Sequence, residues 1–296
     1  MEFGKTDDLN NLDLNLPDDP EQTIRVLKEG DRKNKKSEVF IGCAKWGRPD
    51  WVGKIYPKGT KAKDFLKAYA NHFDAIELNA TFYNRPDKDQ YAGWAAIVGD
   101  NFRFSAKFPQ YITHLKRLKD VDERTALFYD ALAGFGSKVE NLFLVLHPQF
   151  APKQIGVLED YLKVLPKHLP VFVEFRHPGW FEGKTTDEAF HLLEAYNIGS
   201  IITDAAGRRD VVHMRLTTPT AFIRFVGNSL HQSDYTRIDE WVARMKKWIN
   251  SGIQSIYFYM HQHEELYSPQ LCAYLIRKLN EEAGLDIKVP ILIGEI

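Results

Sequence analysis

From residue 39 onward the sequence alternates short apolar runs with longer amphipathic segments. The apolar runs are VFIGCAKW (39–46), AIELNATFY (75–83), FRFSAKF (102–108), LFLVLH (142–147), VFVEFRH (171–177), GSIITDA (199–205), AFIRFVG (221–227) and SIYFYMH (255–261). They are rich in β-branched and aromatic residues and mostly apolar on both faces, as strands of a covered parallel sheet should be. Helical patterns lie between most of them, at 63–73, 87–98, 121–132, 152–165, 186–196, 235–249 and 269–279. The first places Phe65, Tyr69 and Phe73 at i, i+4, i+8, and Thr186 suits an N-cap. Residues 208–220 have no helical period and read as a loop. Eight strands with helices between them predict an α/β fold, a single-domain (β/α)8 TIM barrel. An open doubly wound sheet is the alternative, although no Gly-rich phosphate loop follows the first strand.

Residues 1–37 break this texture with DD, NN and PDD clusters. They read as a polar, irregular N-terminal arm with one short helix around 21–28, and the basic run KEGDRKNKK (28–36) as a solvated linker. At the other end VPILIGEI (289–296) is one more strand-like piece with no place in the eightfold pattern.

Within AIELNATFY the polar residues Glu77, Asn79 and Thr81 recur at a spacing of two, which puts them on one side of a strand. A carboxylate there needs partners or a task, and later strands supply candidates. Arg103, Ser105 and Lys107 share parity on the third strand, as do Glu174 and Arg176 on the fifth; Asp204, Arg224 and His261 mark the sixth, seventh and eighth. In a TIM barrel the active site lies at the C-terminal ends of the strands, so these groups would meet there. They suggest an acid/base site for an anionic or hydroxyl-rich ligand; the alternative is a mutually neutralised salt-bridge network filling the barrel. Acidic neighbours are expected to raise the pKa of Lys107, which favours a point charge for phosphate over a Schiff-base amine. Trp46, Tyr83 and Trp180 could stack on a sugar or base, and His114 stands in a basic loop, QYITHLKRLK, suited to phosphate.

Composition narrows the class. The 296 residues are 44% hydrophobic and 27% charged, which suits a globular protein with a sizeable core. A formal charge of −1 gives no global pull toward nucleic acid or an anionic membrane. The two cysteines, Cys43 and Cys272, form no disulfide framework and read as reduced thiols, with Cys43 as core packing. The N-terminal residues lack an apolar h-region and no run is long enough to span a bilayer, so the expectation is a cytoplasmic protein without a membrane partner. HQHE (261–264) could chelate a metal through His261 and His263 with Asp204, Glu77 or Glu174, but no further His stands at familiar ligand spacing. Walker, GxSxG and zinc-finger patterns are absent.

GCAKWGRPDWVGKIYP (42–57), IELNATFYNRP (76–86), FRFSAKFPQYITH (102–114), VEFRHPGWF (173–181), ITDAAG (202–207) and IRFVGN (223–228) together resemble the YecE-like (DUF72) family, in order and over residues 40–279. The family is similar in outline to xylose-isomerase-like and endonuclease-IV-like barrels; the resemblance implies a TIM barrel and no established reaction. By position it implies Trp46, Trp51, Glu77, Asn79, Phe82, Tyr83, Lys107, Thr113, His114, Glu174, Arg176, His177, Trp180, Asp204, Arg224 and Gly227 as recurring residues. Departures from the family pattern are Lys45 for a common glycine, Val145 for a glutamine, Val226 for a histidine, and His261-Gln262 for an Asn-Asn pair.

The resulting expectation is an enzyme without a metal or other cofactor, acting on a small phosphate- or sugar-containing ligand. Glu77, Lys107, Glu174 and Asp204 form its catalytic set, and Trp46, Asn79, Tyr83, His114, Arg176, His177, Trp180 and Arg224 bind substrate. Lys107 and Arg176 form the anion clamp, with Asp204 and Arg224 as support. Alternatives are a metal-dependent hydrolase using His261, His263 and a carboxylate, and a non-catalytic ligand or nucleic-acid binder.

Overall fold

The computed structural model describes residues 3–30, 36–84 and 86–293. Among them, strands β1 (Glu38–Cys43), β2 (Ala75–Leu78), β3 (Arg103–Lys107), β4 (Val139–Val145), β5 (Val171–Glu174), β6 (Gly199–Ala205), β7 (Thr220–Gly227) and β8 (Ser255–Gln262) close into a barrel in chain order. Every neighbouring pair is parallel, and β8 returns to β1 over six residue pairs. This is the (β/α)8 barrel expected from the alternating pattern.

The α-helices are α1 (Glu21–Glu29), α2 (Phe65–Tyr69), α3 (Ala80–Tyr83), α4 (Lys88–Ile97), α5 (Asp122–Leu132), α6 (Ile155–Val164), α7 (Lys184–Ala195), α8 (Gln232–Ser251) and α9 (Ser268–Ala283). Residues 206–219 hold only one 3₁₀ turn, Arg209–Val211, in keeping with their missing helical period. VPILIGEI adds no strand: residues 289–293 run irregularly past the β1–α2 region, where Ile293 N–H donates to the Lys54 carbonyl at 2.6 Å. The rest of that stretch, and most of the basic run at 31–36, lie outside the described residues.

Strand parity separates two cores. Val171, Val173 and Phe175 of β5 and its extension face the helices, where Phe175 packs on Trp180 and Phe190. The opposite set, with residues such as Phe143, Phe172, Phe222, Tyr257 and Tyr259, fills the barrel interior. Phe40 stacks on Tyr257 with ring centroids 5.0 Å apart, and Ser105 Oγ lies 2.5 Å from Tyr259 Oη. These bulky groups plug the barrel, so the polar residues of the same parity stand above a dry floor.

The N-terminal arm carries the short helix expected around 21–28, as α1, and also packs on the barrel through contacts that its polar composition did not indicate. Gly207 N–H donates to the Gly4 carbonyl at 2.8 Å, and the Phe3 ring lies 3.6 Å from the Arg176 guanidinium. Arg209 donates to the carbonyls of Leu14 and Asn15, and Leu16 N–H donates to Glu240. Asp19 is buried among Arg244, Lys247 and the Trp248 indole. Asp19 and the backbone carbonyls of Leu14, Asn15 and Pro17 thus serve as specific partners for α8 and the loop after β6.

Candidate active site

β2 ends one residue after Glu77. Asn79 turns to helical angles (φ −84°, ψ −12°) and opens α3, so the spacing of two expected across 75–83 stops at Leu78. The break aims each polar residue separately. Glu77 points into the barrel, Asn79 Nδ2 donates to Glu77 Oε1 at 2.8 Å, and Thr81 Oγ1 donates to the Lys107 carbonyl at 2.6 Å, clamping the end of β3.

Above the aromatic plug the charged residues form a chain. Arg224 of β7 grips Glu77 through Nε (2.8 Å) and Nη2 (2.9 Å), and Glu174 of β5 through Nη1 (2.6 Å). Glu174 also accepts from Arg176 at 2.6 Å and from Thr203 Oγ1 at 2.9 Å. On the other side, His261 Nε2 lies 3.1 Å from Glu77 Oε2, and its Nδ1 lies 3.7 Å from Glu265 Oε1. Glu77, Glu174 and Arg224 are almost wholly buried, where unpaired charge would be prohibitive. Burial pushes the pKa values of both glutamates up, but the guanidiniums, together with His261 beside Glu77, hold them below the usual carboxylate range. Burial opposes charge on His261 too, yet Glu77 keeps its pKa above the ordinary histidine value.

Lys107 differs from the rest. Among the described residues it makes no ion pair; its Nζ lies 4.2 Å from the centroid of the Phe82 ring and 6.0 Å from that of Phe143. Burial and the Arg224 charge lower its pKa to about 8, despite the opposing pull of Glu77 and Glu174. Glu77 and Glu174 do pull upward as expected, but burial and the Arg224 charge outweigh them, so the expected net rise does not occur.

A cavity of about 520 Å³ opens over this chain on the side of β1, β2 and β8. Lys107, Asn79, Arg224 and His261 line its inner wall, and Lys45, Arg48 and Tyr83 its mouth. Tyr83 is 69% exposed, and Trp46 borders an adjoining recess with Lys45 and Glu77, so both aromatics stand where a ligand could stack on them. Phe3 covers the opposite side, over Arg176.

Other expected site residues fall elsewhere. Asp204 has the opposite parity in β6: it faces α8, accepting from Arg237 (3.0 Å), the Trp241 indole (2.7 Å) and Arg209. Thr203 takes the inward position. Trp180 is fully buried, donating to the Phe150 carbonyl, and His177 Nδ1 caps the turn Pro178–Phe181 by accepting from Gly179 N–H at 3.0 Å. His114 sits on a single π-helical turn, Tyr111–Leu115, edge-on to Phe82 and His147, with Nδ1 2.8 Å from Thr113 Oγ1. Burial, His147 and Lys107 lower its pKa to about 4, so it is neutral and braces Phe82 instead of offering a phosphate a charge. Among the described residues no three His, Cys, Asp or Glu side chains converge as metal ligands, so the expected grouping of His261, His263 and a carboxylate does not form.

Sequence reasoning missed Thr203, Glu265 and Phe3. Thr203 could have been found from parity with Ile201, while Glu265 follows the last strand in a loop without a motif. Gly227 has a steric reason: a Cβ there would come within 2.4 Å of the Gln262 amide, which holds Ser229 N–H at 2.7 Å and shapes the turn into α8.

Residues 40–290 match the family model described as protein of unknown function DUF72. The UPF0759 protein YecE of Escherichia coli K12 is 25% identical over 274 residues, spanning 85% of this chain and 97% of that protein. The UPF0759 protein YunF of Bacillus subtilis is 27% identical over 167 residues, 53% of this chain and 57% of that one. A DUF72 protein from Enterococcus faecalis superposes with TM-score 0.63 at 15% identity (87% of this chain, 98% of that one). One from Thermotoga maritima gives 0.62 at 21% (83% and 100%), and both show the shared fold. The chain therefore belongs to the YecE-like DUF72 family and carries that family's TIM barrel.

Proposed function

We propose that this protein is an enzyme whose active site is the cavity over the Glu77–Arg224–Glu174 chain. Its substrate is a small molecule bearing phosphate or several hydroxyls. The observation that carries this reading is that the buried ion pairs lie beneath a substrate-sized opening. A purely structural network gains nothing from such a cavity, whereas strand-end charges lining one are where barrel enzymes do chemistry. Glu77 and Glu174, held ionised by Arg224, are fixed electrostatic partners. Proton transfer falls to His261, whose pKa Glu77 holds above the ordinary histidine value, and to Lys107, whose pKa near 8 suits exchange at neutral pH. Lys45, Arg48 and Lys107 receive the anionic part of the substrate, Asn79 a hydroxyl, and Tyr83 its apolar face.

The test is a thermal-shift and calorimetric screen of sugar phosphates and phosphorylated three-carbon acids and alcohols. At least one should bind the wild type and lose ten-fold or more in affinity in Asn79→Ala and in Lys107→Met. If none binds, or if binding ignores both substitutions, the cavity is not the site.

A further inference from the structure

We propose that Lys107 is a nucleophile that condenses with the carbonyl of an aldehyde or ketone substrate to form an imine at Nζ. The inference rests on the reading of the cavity as the active site and adds a chemical class: a small carbonyl compound carrying phosphate or hydroxyl groups. The geometry separates Lys107 from every other charged group in the chain. Arg224 and Arg176 reach carboxylates at 2.6–2.9 Å, and His261 reaches Glu77 at 3.1 Å. Lys107 makes no ion pair among the described residues and lies over the Phe82 ring at the cavity wall.

An amine meant only to neutralise charge would be placed on a carboxylate. One held at a cavity wall without a carboxylate partner, its lone pair, once deprotonated, free of donors, is placed to attack an electrophile. The backbone holding it is pinned, since Thr81 Oγ1 donates to the Lys107 carbonyl and the Phe108 N–H donates to the Phe143 carbonyl at 2.9 Å. His114, half-buried, packs edge-on to the Phe82 ring and holds it in place. The charged and titratable groups facing Lys107 are Arg224, Arg176, Glu77, Glu174 and His114; burial and the two guanidiniums outweigh the two carboxylates, so more free amine is present near neutral pH than on a surface lysine.

The chemistry balances without a redox partner. The Nζ lone pair forms a C–N bond to the carbonyl carbon, and the carbonyl oxygen takes up a proton to give a carbinolamine. The C–O bond then breaks, and the oxygen departs as water carrying one hydrogen from the amine and one proton from a neighbouring acid, which leaves the imine protonated. His261, lining the same cavity, is placed to hand a proton to the departing oxygen. The charges of Glu77 and Glu174, which already act on Lys107, favour the new cation.

The experiment uses the full chain, D-glyceraldehyde 3-phosphate and sodium cyanoborohydride, with adducts located by peptide mass spectrometry. Lys107 should be labelled at least ten-fold faster than the surface lysines Lys58 and Lys119, with a rate rising through a midpoint near pH 8. Labelling no faster than those surface residues overturns the inference. Glycerol 3-phosphate, which lacks the carbonyl, is titrated in parallel. If it binds while Lys107 stays unlabelled, the imine is wrong and the active-site reading survives. If neither event occurs, both fail. Trapping on the wild type needs no variant, so a misfolded substitution cannot mimic either result.

Discussion

Arg224 is shared between Glu77 and Glu174: two of its nitrogens close on one carboxylate at 2.8 and 2.9 Å, and the third meets the other at 2.6 Å. One guanidinium from β7 thus fixes acids from β2 and β5, and leaves neither free to pair with Lys107. The arrangement uses the planar fork of arginine, which a lysine could not reproduce.

Glu77→Gln keeps the shape of the side chain and removes its charge. The amide cannot accept twice from Arg224 and also receive Asn79 and His261. Breaking one side of a buried pair costs about 3–5 kcal/mol, so urea unfolding at pH 7 should show a loss of that order. A loss below about 1 kcal/mol would mean that water solvates the network in solution.

Lys107→Met is expected to act in the opposite direction. It replaces a half-buried ammonium without a carboxylate partner by an apolar chain of similar length, so stability at pH 7 should hold or rise while ligand affinity falls. The sign follows from linkage. The folded pKa of about 8 lies below the unfolded value of 10.5, so between them the unfolded state binds more protons and stability rises with pH. At about 1.4 kcal/mol per pH unit the wild type should gain roughly 3 kcal/mol relative to Lys107→Met across that window. Parallel urea curves for the two proteins from pH 8 to 10.5 would contradict this.

Asp204 offers a control outside the cavity. Its pKa is lowered by Arg237 and Arg209 against the upward push of burial. The stability it contributes is present above the unfolded carboxyl pKa and is lost as pH falls through the lower folded value. Asp204→Asn should destabilise at pH 7 and flatten the acid limb of the stability profile. The folded variant should bind cavity ligands as the wild type does; a ten-fold loss of affinity would place Asp204 in the site after all.

Much of this was legible in the sequence because parity is a strong signal in a covered sheet. Glu174 and Arg176, two apart, share the interior, and Glu77, Lys107, Arg224 and His261 meet there as their strands require. Asp204 misled because a polar residue near a strand end invites an inward reading, while parity with Ile201 assigns that place to Thr203. Trp180 misled because its indole N–H bonds to a backbone carbonyl inside the core. In the arm the short helix around 21–28 could be read but not the contacts: Phe3 meets Arg176 from 173 positions away, and the polar composition gives no hint of what the arm covers.

Phe3→Ala tests that cover. The stacked ring is worth about 0.5–2 kcal/mol by cation–π attraction, and its loss should expose Arg176. Modification of Arg176 by phenylglyoxal, followed by mass spectrometry, should accelerate several-fold over wild type. An unchanged rate would mean that the arm already leaves this face in solution.

The central claim is that Lys107 is a reactive amine and not one more member of an ion-pair network. The most direct measurement is its titration, by competitive labelling with trace acetic anhydride across pH 6–11 with each lysine quantified by mass spectrometry. A reactive amine at this position titrates with a midpoint near pH 8, with surface lysines near their ordinary values. A Lys107 midpoint at or above 10 would contradict it.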